Sequence, residues 1–258
     1  MKRSIFYFAI LGLLLLFFNA DAQDVAIGIR GGISIPNLSA GGSQQNPLNT
    51  GYSSRQGPDA GLYAEFKFSD LFSLQPMIQY SSQGGKKDGM QAFPTPDAIK
   101  QQYQAEGQTA PTYLYAKFNS DAKLNYLMIP VLAKFGWNFH KSPLRIYVDA
   151  GPFVGFLLSA KQVTSGTSNF YADAGGTQQV TPSPQSLNNT QDIKDQLNTT
   201  NFGIEGNLGL QYKLKRSYVF IEGGGNYGFL NIQKGTANGK NNTGAATADI
   251  GYALWFGK

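Results

Sequence analysis

Between Lys123 and Leu158 apolar and polar positions alternate every second residue. Two segments, KLNYLMIPVLAKFGWNF and LRIYVDAGPFVGFLL, flank the four residues His140, Lys141, Ser142 and Pro143. In the first, Leu127, Ile129, Val131, Ala133, Phe135 and Trp137 fall on one face, with Asn125, Lys134 and Gly136 assigned to the other. In the second, Leu144, Ile146, Val148, Ala150, Val154 and Phe156 oppose Arg145, Tyr147, Asp149, Gly151 and Gly155. A period of two predicts strands, here joined as a hairpin.

The same alternation predicts six more strands. The first runs from Asp24 to Ile35 with Ala26, Gly28, Arg30, Gly32 and Ser34 on one face, and Pro36 is expected to end it. After a Gly-rich loop to Pro58, Leu62, Ala64, Phe66 and Phe68 oppose Tyr63, Glu65 and Lys67. A turn at Ser69 and Asp70 leads to a strand from Phe72 to Ser81. Residues 84–120 read as a long loop, with a short helix over Pro96 to Glu106 that Asp97 would cap and whose Ile99 and Tyr103 share a face. Beyond the central hairpin, 159–201 is polar. Strands then follow over 202–213, 218–230 and 246–256, the first two joined by a tight turn at Leu214 to Ser217. The connections alternate between long and short along the whole chain.

Charged residues in these strands sit mid-strand, opposite long aliphatic ones. A soluble sandwich buries the aliphatic face; a membrane barrel turns it outward. Strictly alternating connections are what an up-and-down barrel produces, with short turns at the periplasmic rim and long loops outside. The expected fold is therefore all-β: an eight-stranded antiparallel up-and-down transmembrane β-barrel with long extracellular loops. Phe66, Phe68, Phe72, Phe135, Trp137, Tyr212, Tyr218 and Phe256 lie beside the short turns and would form the aromatic girdle there.

Composition sharpens this picture. Lys2 and Arg3, an apolar run from Ile5 to Phe18, and Ala20-Asp21-Ala22 have the form of a secretory signal peptide. On that reading residues 1–22 are removed and 23–258 form the barrel domain. The chain has no cysteine, which excludes a lipid-anchored cysteine, disulfides and thiolate metal sites. With 31 Gly, 14 Tyr and 18 Phe but only 14% charged residues, it suits a narrow barrel better than a solvated globule. The net charge of +5, which falls to +4 without Lys2, Arg3 and Asp21, is too small to indicate a nucleic-acid partner.

The segments KLNYLMIPVLAKF, YVDAGPFVGFLL, FGIEGNLGLQYKL, YVFIEGGGNYGFLNI and DIGYALWF resemble the outer-membrane β-barrel domain family of Bacteroidetes, often labelled PorT-like or porin-family. The likeness rests most on Tyr126 to Leu132, Ala150-Gly151-Pro152 and Tyr227-Gly228 leading to Asn231-Ile232. It implies an outer-membrane location, handling by the barrel-assembly machinery and, for some members, a link to secretion. Such chains usually end on an aromatic residue, whereas Gly257 and Lys258 follow Phe256 here.

The face away from lipid carries Arg30, Lys67, Lys134 and Arg145 as cations and Glu65, Asp149, Glu205, Glu222 and Asp249 as anions. An eight-stranded barrel is wide enough only for side chains, so these near-balanced charges are expected to pair and plug the lumen. Tyr63 and Tyr147 would add bulk. His140, the only histidine, falls in a short turn, so neither a histidine-based catalytic rim nor a His/Cys metal site is available. The glycine runs lack the spacing of phosphate loops. No enzyme activity and no cofactor are expected. The predicted function is that of a structural or loop-binding envelope component, monomeric, with a small-solute channel as the alternative. Its surroundings would be outer-membrane lipid and lipopolysaccharide, towards which Lys86, Lys87 and the lysines between 234 and 240 place positive charge at the outer surface. Loops 84–120 and 159–201 are the expected protein-binding surfaces.

Overall fold

A computed structural model describes residues 24–41, 47–235 and 239–257. The expected signal peptide and the terminal Lys258 lie outside the described residues. The strands are β1 (Val25–Gly41), β2 (Gly57–Lys67), β3 (Phe72–Lys87), β4 (Met90–Pro94), β5 (Tyr113–Lys117), β6 (Asn119–Asn138) and β7 (Leu144–Ser165). They continue with β8 (Thr167–Ser168), β9 (Gln185–Ser186), β10 (Asn189–Asp192), β11 (Thr200–Lys213), β12 (Ser217–Gly228) and β13 (Lys240–Phe256). Among the described residues one α-helix, α1, covers Asp97–Ala105.

Eight of these strands close into a ring in the order β1, β2, β3, β6, β7, β11, β12, β13, and β13 returns to pair with β1 along its whole length. Every pair is antiparallel and every neighbour in the ring is also the next long strand in sequence, so the topology is up-and-down. Closure leaves no free sheet edge, which is the condition for a strand structure to cross hydrocarbon. Outside the ring is a belt of exposed Ile27, Ile29, Leu62, Ile78, Leu208, Ile221 and Ile250. An apolar surface this continuous is stable only against lipid. Aromatic side chains stack beside the short turns, with Phe72 5.2 Å from Phe135 and 5.6 Å from Phe68 between ring centres.

The ladder runs further than the alternation predicts. β3 continues past Ser81 to Lys87, pairing with β6 as far as Ser120, and β1 passes through Pro36 to Gly41. Pro36 is tolerated because a residue's N–H and C=O point to the same side of an antiparallel strand. The Pro36 carbonyl accepts from the Arg55 amide, on the flank where pairing with β2 has already ended at Ser34 and Gly57. The missing donor therefore breaks no ladder bond.

The long connections carry structure of their own. Loop 88–118 folds into the β4–β5 hairpin and α1, where Asp97 lies in the first turn and pairs with Lys100 at 2.9 Å instead of capping; Pro96 holds the N-cap. Ile99 packs on a small core of Leu114, Ala116, Phe118 and Phe170 that ties this loop to 166–199. In β7 a bulge at Leu158, opposite the Asn125/Tyr126 step, reverses which residues face inward, so Ala160, Gln162 and Thr164 line the barrel above it. Asn125 has the same parity as Leu127 and lies on the outer face, contrary to expectation. There it donates to Ser159 Oγ at 3.0 Å, above the apolar belt.

Candidate functional site in the lumen

Inward-facing side chains fill the barrel in two polar clusters and one apolar layer. Arg30, on β1, occupies the centre of the first. Its Nη1 donates to Glu222 Oε1 at 2.6 Å and its Nη2 to Glu205 Oε1 at 2.8 Å, with Asp59 Oδ1 3.8 Å away. Four of the carboxylates accept a further bond: Tyr147 donates to Glu222 at 2.6 Å, Gln79 to Asp59 at 2.9 Å, and Asn207 to Asp149 at 2.8 Å and to Glu205 at 3.4 Å. Strand parity turns Arg30, Asp59, Glu205, Glu222 and Asp249 inward on five neighbouring strands: Asp59, Asp249 and Glu222 share the ladder row through Gly32, Arg30 lies two residues from Gly32, and Glu205 lies four residues along β11 from Gly209, the partner of Glu222.

The second cluster, nearer the short turns, surrounds Glu65. It accepts from Tyr218 at 2.5 Å, Ser73 at 2.8 Å and Lys134 at 3.3 Å, while Arg145 lies at 3.8 Å. Lys134 also sits 4.0 Å over the Tyr147 ring and donates to Gln75 at 3.1 Å. Aromatic rings join the two clusters, and each lies flat on a glycine directly across the ladder. A Cβ on Gly28 would come within 2.3 Å of the Tyr63 ring, and one on Gly209 within 2.2 Å of Tyr147. Only glycine gives these rings room to fold over the wall.

Eight of the nine lumen charges expected from the sequence are buried inside the barrel: Arg30, Glu65, Lys134, Arg145, Asp149, Glu205, Glu222 and Asp249. Lys67 is not among them. It lies at the rim of the short turns, paired with the exposed Asp70 at 2.8 Å, because β2 ends there and its long side chain reaches water. Asp59 takes its place inside. It shares the parity of Tyr63 and Glu65, and counting backwards from them would have found it. The balance therefore shifts to three cations, Arg30, Lys134 and Arg145, against six carboxylates. Asp249 is buried with neither carboxylate oxygen hydrogen-bonded. Tyr218 is a further correction: fully buried, it belongs to the Glu65 cluster and not to the outer girdle.

Above the polar clusters the lumen turns apolar. Leu38, Leu124, Tyr126, Met128, Phe153 and Leu157 meet across the barrel, and Leu197 and Ile232 from the long loops close over them. The lumen is thus filled at two heights by different means, first by hydrogen-bonded charge and then by hydrocarbon. Among the described residues no three His, Cys, Asp or Glu side chains converge to hold a metal ion, and His140 is exposed in its turn.

A family model described as "Outer membrane protein beta-barrel domain" matches residues 20–234. No curated protein matches the chain. Among solved structures, OprG from Pseudomonas aeruginosa is 12% identical, with 92% of this chain and 97% of that chain covered at a TM-score of 0.40. Neisserial surface protein A is 13% identical over 90% of this chain and 99% of that one, TM-score 0.39. Ail, the attachment invasion locus protein of Yersinia pestis, solved with the heparin analogue sucrose octasulfate, is 12% identical over 91% and 99%, TM-score 0.36.

Proposed function

The chain belongs to the outer membrane protein β-barrel domain family and resides in the bacterial outer membrane, and on that premise we propose that it is a closed barrel acting through its outer loops. It serves as a structural or binding component of the envelope, an accessory to secretion in the manner implied by the PorT-like likeness, and it catalyses no reaction. The observation that carries this reading is the double filling of the lumen. A solute would have to displace the Arg30 and Glu65 clusters and then the apolar layer from Leu124 to Phe153. Eight strands leave an interior that side chains can fill, as they do here. The structured connections 88–118 and 166–199, held together by the core around Leu114 and Phe170, give a partner a firm surface to bind.

Conductance tests the reading. Purified protein in planar bilayers is expected to give no stable openings at any holding potential. Discrete, long-lived openings of porin size would make it a small-solute channel instead.

A further inference from the structure

On the outer side of the apolar layer lies a cavity of about 360 Å³, open to the loops. Leu38, Leu124, Leu197 and Ile232 of that layer form its floor. The ladder fixes the heights of its wall. Lys87 pairs with Ser120, which pairs with Thr164; Ala122 pairs with Gln162; Leu124 pairs with Ala160. Lys87 therefore enters the mouth four residues of β6 above Leu124, roughly 13 Å along the strand.

The sequence places Lys87 on the outer surface with Lys86. The structure separates them: Lys86 is exposed, whereas Lys87 is turned into the mouth and only 8% exposed. Its ammonium donates to the Leu48 carbonyl at 2.8 Å and sits 4.4 Å from the centre of the Tyr52 ring. Burial pushes the Tyr52 phenol up to about 12, so it stays neutral beside that charge. Among the described residues no carboxylate forms an ion pair with Lys87, and the remaining internal residues, 42–46 and 236–238, include no Asp or Glu. The other polar lining, including Gln91, Gln162, Asn189, Gln191 and Gln233, is uncharged. Burial with no carboxylate beside it pulls the Lys87 ammonium down to about 8, so it still carries charge at neutral pH and an anion at its side would stabilise that charge. A cavity with an apolar floor, neutral hydrogen-bonding walls and one convergent charge has the make-up of a small-molecule site.

We propose that this mouth cavity binds a small amphiphile with a single carboxylate head and a short hydrocarbon tail, entering from outside with its head at Lys87 and its tail on Leu124, Leu197 and Ile232. The proposal rests on the closed-barrel reading, since the tail needs a sealed floor. The neutral glutamine walls suit one anionic group and not several.

Octanoate is the probe, with 1-octanol as its uncharged counterpart, titrated against the full protein in lipid nanodiscs and followed by ligand NMR line broadening relative to empty nanodiscs. Octanoate is expected to bind saturably, at least tenfold more tightly than octanol. Lys87→Met should weaken octanoate at least tenfold and leave octanol unchanged, while Lys87→Arg should retain octanoate. Should Lys87→Met fail to give the heat-modifiable folded band, the octanoate-to-octanol ratio on wild type and Lys87→Arg decides. Octanoate bound no better than octanol, equal affinity in Lys87→Met, or no saturable binding would each overturn the site. The bilayer recording separates the two readings: absent binding with zero conductance removes the site alone, whereas open channels remove the sealed floor beneath it.

Discussion

Arg30→Met is expected to destabilise the barrel by about 3–5 kcal/mol, the usual consequence of removing one partner from a buried ion pair. Arg30 is the shared partner of Glu205 at 2.8 Å and Glu222 at 2.6 Å, with Asp59 close by. Methionine fills a similar volume, so the loss reports charge and not a cavity. The carboxylates left behind would repel one another in a space that water cannot easily enter. Lys67→Met is the internal control. Its pair with Asp70 is open to solvent, and such pairs contribute about 0–1 kcal/mol. Urea titration of the folded, heat-modifiable band in vesicles measures both. Equal, small effects would mean that water screens the Arg30 cluster.

Leu208→Arg should block insertion into bilayers or cost roughly 2–4 kcal/mol, the range for a cation on the lipid face near the midplane. Leu208 is 55% exposed, midway along β11 and flanked across the ladder by Val148 and Gly223, neither of which offers a counter-charge. Gln211→Ala, three residues on and on the opposite face, is expected to change stability by less than about 1 kcal/mol. Gln211 is fully buried yet neither of its side-chain polar atoms has a hydrogen-bond partner, so truncation removes unsatisfied groups and no bond. The same urea titration compares the two. A tolerated arginine together with a damaging alanine would place β11 one residue out of register.

The strands were legible wherever one face meets lipid and the other meets the lumen. Ile27 and Arg30, Leu62 and Glu65, or Ile146 and Arg145 differ enough in polarity to reveal a period of two. Where the environment on the two faces becomes alike, the signal disappears. Ser82 to Lys87 is polar throughout, and it still pairs residue by residue with Asn125 to Ser120. From Tyr126 to Leu132 both faces of β6 are apolar, because Tyr126 and Met128 belong to the inner seal. The apolar layer, and the cavity it supports, was hidden for that reason. Tyr218 shows a different limit. A tyrosine beside a turn suits a girdle or a lumen equally well, and only the distance to Glu65 distinguishes them. Lys87 was obscured by its neighbour: two adjacent lysines on a strand must face opposite ways, and one of them had to point inward.

The most direct test is a cysteine scan from Glu205 to Tyr212, for which the native chain provides a cysteine-free background. Each position carries a nitroxide in lipid vesicles, and its collisions with oxygen, which dissolves in the bilayer, and with a water-soluble nickel chelate are measured. Oxygen contact should peak at Leu208, Leu210 and Tyr212, while labels at Asn207 and Gln211 meet neither reagent. Nickel contact at those two inward positions, or oxygen maxima at the odd-numbered ones, would contradict a sealed barrel with its aliphatic side chains in lipid.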